Sequence, residues 1–300
     1  MGGGSWTDKS WTSYSSSAIK GKSTAHVYKK RAMVDDYNPK NVVMRESRDS
    51  EDHPNSTPII IGLDVTGSMN SILDTVASKL GILVKEILDR KPVSDPQIMF
   101  QAIGDSWCDS APLQVTQFES DIRIAEQLTS LYFEKGGGGN RYESYPLSWY
   151  FASRKTVCDN FEKRGKKGFI FTMGDDGYPS KLTKSELSEF LGVEETEDVD
   201  VKSLLNEVNR KYEVFHLCLE RGSSDYSGID KWRDLMGERA IRVTDYEKIP
   251  EIIVSILETL GGKDIDDVIG SWSGDTAVVV KEAIRGLSKV TSSETDLIEF

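Results

Sequence analysis

Two periods of apolar residues alternate along the chain. Ile59-Ile60-Ile61-Gly62-Leu63 is an unbroken run behind a polar, proline-bounded stretch. Its length and lack of alternation predict a central strand buried on both faces. From 69 to 90 the period becomes helical, with Leu73, Val76, Leu80, Leu83, Val84 and Ile87 on one stripe. The same change of period then recurs. Further strands are predicted over 97–104, 168–174, 212–219 and 240–243, and 112–118 reads as an antiparallel edge. Helices are predicted over 121–133, 144–163, 229–236 and 249–260. Such alternation implies a mostly parallel sheet with helices on both faces.

The ends of the chain read differently. Residues 1–56 form an expected arm and linker, partly flexible. The first 24 are rich in Gly, Ser, Thr and Lys without a sustained period. Trp6, Trp11 and Tyr14 stand out there, either clamping the arm onto the domain or anchoring a partner. Residues 45–53 read as a solvated charged linker, and Glu194 to Asp200 as a solvated loop or helix start. Residues 57–262 make the domain, closed by Gly261-Gly262. Residues 263–300 form a helical extension with Ala277, Val280, Ile284 and Leu287 on one stripe.

Composition narrows the classes. The chain has 300 residues, 38% hydrophobic and 29% charged, which is ordinary globular composition. A formal net charge of −12 argues against nucleic acid as the main partner. No apolar run approaches the ~20 residues of a membrane helix, so no membrane contact is expected. No secretory signal is read at the start, and Cys108, Cys158 and Cys218 read as free thiols. A cytoplasmic location is expected.

The chemistry sits at the end of the first strand. Asp64, Thr66 and Ser68 place three oxygen-bearing side chains at alternate positions just before a helix. One carboxylate with two hydroxyls suits a hard cation that keeps several waters. The predicted strand 168–174 also ends in acid, at Asp175 and Asp176. Asp64-x-Thr66-x-Ser68, with this strand before it, helix after it and late acidic strand end, resembles the metal-ion-dependent adhesion site of von Willebrand factor A domains. The resemblance covers roughly residues 57–262. It implies a Rossmann-like three-layer sandwich and a bound Mg²⁺, with Mn²⁺ or Ca²⁺ as substitutes. It also implies that Thr66 and Ser68 bind the cation directly, and Asp64 directly or through water. The family's late Asp maps onto Asp175 in preference to Asp176, which would then support it. The second loop, Gly136 to Tyr145, departs from the pattern because it lacks the family's Thr. Asn140, Glu143 or a water fills that place, and Glu143 is equally a candidate cap for the next helix. Asp105 and Asp109 belong either to the rim of the site or to turn chemistry. Trp107 between them either anchors a partner or packs beneath its loop.

The resemblance implies a cation-dependent module that captures a Glu or Asp carboxylate of a protein partner, without catalysis. Self-association is open, through the arm or through residues 294–300. The main alternative is an enzyme. Asp64-Val-Thr-Gly also resembles the nucleophile motif of haloacid-dehalogenase-type phosphatases, where Asp64 would become aspartyl-phosphate. That reading lacks a flap after the first strand, and only Lys166 and Lys167 are candidates for its phosphate lysine. A phosphate cradle at Gly136 to Gly139 lacks its Lys. A metal-free scaffold is the remaining alternative. His216, alone in an apolar strand, reads as core.

Overall fold

The computed structural model of the chain describes residues 6–136, 139–220 and 228–287. Residues 294–300, a candidate for self-association, and part of the four-glycine run lie outside them, as does the side chain of Leu80.

Six strands form the central sheet: β1 (Thr57–Asp64), β2 (Pro96–Ile103), β3 (Leu113–Val115), β4 (Gly168–Gly174), β5 (Tyr212–Leu219) and β6 (Ala240–Val243). Their spatial order is β3-β2-β1-β4-β5-β6. All neighbours run parallel except β3, which returns antiparallel on the edge of β2. β1, β2 and β4 are buried at every position, as continuous apolar runs require of strands covered on both faces. This is the doubly wound, Rossmann-like three-layer sandwich expected, with its one antiparallel edge strand.

Helices α1 (Asn70–Arg90), α2 (Arg123–Leu128) and α7 (Ile249–Leu260) close one apolar core over Ile59, Ile61 and Leu63. Helices α3 (Tyr145–Arg154), α4 (Lys184–Leu191), α5 (Val201–Val208) and α6 (Ile229–Met236) close the other over Ile60. A short 3₁₀ turn, Gly67–Met69, leads from the Asp64 loop straight into α1. α1 stops at Lys91, whose φ of 47° is left-handed, and Pro92 bars continuation. Two further helices, α8 (Ile265–Gly270) and α9 (Gly274–Ile284), bring Val268, Val280, Ile284 and Leu287 into the first core.

Several segments depart from expectation. The helix expected over 121–133 is only α2, because Thr129 and Ser130 turn their hydroxyls back onto Glu126 O and the chain leaves the helix. The helix expected over 144–163 breaks at Lys155. Thr156–Cys158 instead pairs in parallel with Arg45–Ser47, and a separate helix, Asp159–Arg164, follows. The solvated linker expected over 45–53 is therefore replaced by a short strand and an ion-pair knot. Asp49 accepts Arg164 Nη1 at 2.8 Å and Nη2 at 3.0 Å, and Arg48 Nη1 reaches Asp159 at 2.9 Å. Residues 7–14 are also ordered by local bonds: Thr7 and Ser10 form a capping box for the helix Asp8–Tyr14. Trp11 lies over Gly81, where a Cβ would come within 2.6 Å of its ring. Tyr14 Oη lies 2.5 Å from Thr129 Oγ1. Trp11 and Tyr14 are thus spent inside the molecule.

Candidate metal centre

The strand order reverses direction between β1 and β4. In open α/β sheets the crevice at the carboxyl ends of the strands flanking such a point is where ligands bind. Asp64 is the last residue of β1, and Asp175 follows Gly174, the last of β4.

Two hydroxyl–carboxylate hydrogen bonds bring the two strand ends together. Asp64 Oδ1 accepts from Thr66 N at 2.9 Å and from Thr66 Oγ1 at 2.7 Å. Thr66 Oγ1 lies 3.0 Å from Ser68 Oγ, which donates to Asp175 Oδ1 at 2.7 Å. The structure therefore brings Asp64, Thr66, Ser68 and Asp175 together. Each hydroxyl directs its single proton at a carboxylate, which leaves its lone pairs for a cation. Asp64, Thr66 and Asp175 are buried and Ser68 is half-buried.

The other candidates are placed differently. Asp176 is half-buried, and its carbonyl accepts from Trp232 Nε1 at 3.1 Å. Asn140 Nδ2 donates to Asp105 Oδ2 at 2.9 Å, which ties Asn140 to the rim turn. Glu143 is only 4% exposed, its Oε2 has no hydrogen-bond partner, and no donor reaches its carboxylate among the described residues. It does not cap α3, whose N-cap is Ser144. Its backbone fixes it: Glu143 N donates to Gly177 O at 3.1 Å, and Gly177 N to Arg141 O at 3.2 Å. The second and third loops are stitched together at that point.

Electrostatically the centre is one-sided. Burial, then the neighbouring Asp175, raises the Asp64 carboxyl to about 7. Burial raises Glu143 to about 10, with Asp64, Asp105, Asp176 and Asp109 adding to it. The charges that act most strongly on Glu143 are those of other carboxylates. Such a crowd is relieved by protons or by a cation. Among the described residues no three His, Cys, Asp or Glu side chains lie close enough to hold a metal by themselves. The hydroxyls must contribute, so the donor set fits a hard cation that retains waters and fits a thiolate-seeking metal poorly.

Asp105 and Asp109 make turn bonds. Asp105 Oδ1 accepts from Trp107 N at 2.9 Å, and Asp109 Oδ2 from Asp105 N at 2.8 Å. Trp107 is 70% exposed beside them. Gly136 passes so near that a Cβ would sit 1.8 Å from Asp109 Oδ1. The residue missed by sequence reasoning is Tyr145, whose hydroxyl donates to Asp64 Oδ2 at 2.7 Å. Its signal was indirect: Gly174 stands where a Cβ would come within 1.9 Å of Tyr145 Oη. His216 is fully buried, bonded to Thr172 Oγ1 at 2.9 Å, and burial holds its pKa well below the usual value. Lys166 and Lys167 precede β4, at the end of the sheet opposite Asp64. The phosphatase reading therefore has neither of its candidate lysines at Asp64.

No family model and no curated protein sequence matches the chain. Solved structures resemble it in outline. The pilus adhesin SpaC of Lactobacillus rhamnosus GG, in its open conformation, gives a TM-score of 0.47 at 10% identity, over 75% of this chain and 31% of the adhesin. BatB of Bacteroides thetaiotaomicron gives 0.43 at 12% identity, over 69% of this chain and 100% of that one. Proximal thread matrix protein 1 of the mussel byssus, solved with a zinc-occupied MIDAS motif, gives 0.42 at 12% identity, over 69% of this chain and 46% of that one. The chain thus spans about a third of the adhesin and less than half of the matrix protein. The fold assignment rests on the strand order itself.

Proposed function

We propose that this chain is a von Willebrand factor A-type module that binds Mg²⁺, or Mn²⁺ or Ca²⁺ in its place, and through it a Glu or Asp carboxylate of a protein partner. The observation that carries this reading is the pair of hydroxyl–carboxylate bonds, Thr66 to Asp64 and Ser68 to Asp175, whose hydroxyl oxygens lie 3.0 Å apart across the switch point of the sheet. When bound, the cation supplies a Lewis-acid position for an oxygen anion. Thr66 and Ser68 offer it lone pairs, Asp64 and Asp175 hold those hydroxyls in place, and Glu143 supplies negative charge from the second loop. Asp176 supports the third loop, and Asn140 holds the rim turn at Asp105. The amides opening α1 add donors for the partner's carboxylate.

The domain reading is proposed with the same boundaries: an arm over 1–56, the module over 57–262 and an extension over 263–300. The partner is a protein, and self-association through a carboxylate of a second copy remains part of the proposal. No helix among the described residues is long and apolar enough to cross a membrane. The three free cysteines support the proposed cytoplasmic setting.

Calorimetric titration of Mn²⁺ into chelator-stripped protein tests the reading. Saturable binding is expected in the wild type, and its loss in Asp64→Ala with the fold retained. An Asp64→Ala protein that binds Mn²⁺ like the wild type overturns the site.

A further inference from the structure

Beneath the centre three aromatic rings form a buried stack. His216 on β5 lies flat against Trp232 on α6, with ring centroids 3.6 Å apart and planes at 12°. Tyr145, the first residue of α3, meets both edge-on, at 4.7 Å from His216 and 5.5 Å from Trp232. All three are fully buried. Each end of the stack carries one polar hydrogen, and each reaches a different loop. Tyr145 Oη donates to Asp64 Oδ2 in the first loop at 2.7 Å. Trp232 Nε1 donates to Asp176 O in the third at 3.1 Å. The second loop joins through the chain, because Glu143 lies two residues before Tyr145 and is stitched to Gly177. His216 donates or accepts sideways to Thr172 on β4, which fixes the middle of the stack to the sheet.

We infer that Tyr145 and Trp232 are positioning residues, which set the first and third loops of the cation site from a single buried pillar whose centre is His216. The inference rests on the metal reading above and deepens it. Tyr145 takes the one Asp64 oxygen that Thr66 leaves free, so the carboxylate cannot swing away from Thr66. Trp232 holds the backbone next to Asp175, the residue that accepts from Ser68. The pillar thereby sets both hydroxyl–carboxylate pairs at once. Groups that orient metal ligands in this way typically alter affinity 10–100-fold when removed.

The test is Mn²⁺ titration by calorimetry and by the electron paramagnetic resonance of bound Mn²⁺, on the full chain. Tyr145→Phe deletes only the hydroxyl, and Trp232→Phe deletes the indole donor. Both are expected to weaken Mn²⁺ binding about tenfold or more and to alter the Mn²⁺ spectrum. Trp149→Phe is the packing control. Trp149 lies 6.0 Å from Trp232 and its Nε1 has no partner to lose, so its melting point should fall while affinity and spectrum stay as in the wild type. Tyr145→Phe and Trp232→Phe proteins that bind within twofold of the wild type, with the same spectrum, overturn the pillar and leave the metal reading standing. A wild type that binds no Mn²⁺ overturns both.

Discussion

Two carboxylate clusters in this molecule have opposite surroundings. In the knot below the sheet, Asp49 and Asp159 each face arginine or lysine: Arg164 and Lys163 for Asp49, Arg48 and Lys163 for Asp159. Both acids are held below the usual carboxylate range, Asp49 chiefly by Arg164 and Asp159 chiefly by Lys163 against the cost of its burial. At the top of the sheet Asp64 and Glu143 are raised, first by burial and then by the carboxylates they face. The two clusters use the same residue types within one small domain. A carboxylate matched by a base serves the fold. A buried carboxylate left without one destabilises the fold and marks a candidate binding site.

The largest effect should come from unmatching the knot. Asp49→Ala removes the carboxylate partner of Arg164 and the acceptor of the Ser56 bonds, and is expected to cost about 3 kcal/mol in urea unfolding. An unchanged midpoint would place the knot among surface pairs of little consequence. The pH profile comes next. Asp49 and Asp159 have folded values below their unfolded ones. Their stabilisation is complete above the unfolded value of about 4 and is lost as pH falls through the folded values. The acid limb of stability should therefore flatten in Asp49→Asn, read as melting temperature from pH 5 downward. The smallest effect reverses the sign. In the metal-free protein Glu143 must take up a proton to be buried, a cost that Glu143→Gln removes, so the chelator-treated protein should gain about 1 kcal/mol near neutral pH. A loss of stability on this change would show that Glu143 serves the fold.

Much of this division was legible before the structure. Unbroken apolar runs located β1, β4 and β5, and the 3.6-residue stripe located α1, because each is a local statement about one strand or one helix face. Asp64, Thr66 and Ser68 were legible as a motif for the same reason. The charged run at 45–53 was misread because its partners, Asp159 to Arg164, lie far along the chain, and composition alone makes a charged run look solvated. The helix expected over 144–163 failed through the same pairing: Thr156–Cys158 is claimed by Arg45–Ser47. Tyr145 was invisible as a site residue because its role depends on the space above Gly174, a distance no single sequence contains. The placement of Glu143 as a buried acid without donors was equally beyond reach, since it is set by the stitch to Gly177.

The pairing of Arg45–Ser47 with Thr156–Cys158 also has a consequence in time. Arg48 and Asp159 are 111 residues apart in sequence, so early in synthesis this strand has nothing to pair with. β1 likewise gains β2 soon but must wait for β4 before its second edge is covered. A nascent chain therefore carries an apolar strand with one uncovered edge until β4 has been made, the stage at which such edges are most prone to join the wrong partner. The charges that flank it, unmatched until the knot forms, keep that waiting segment in water.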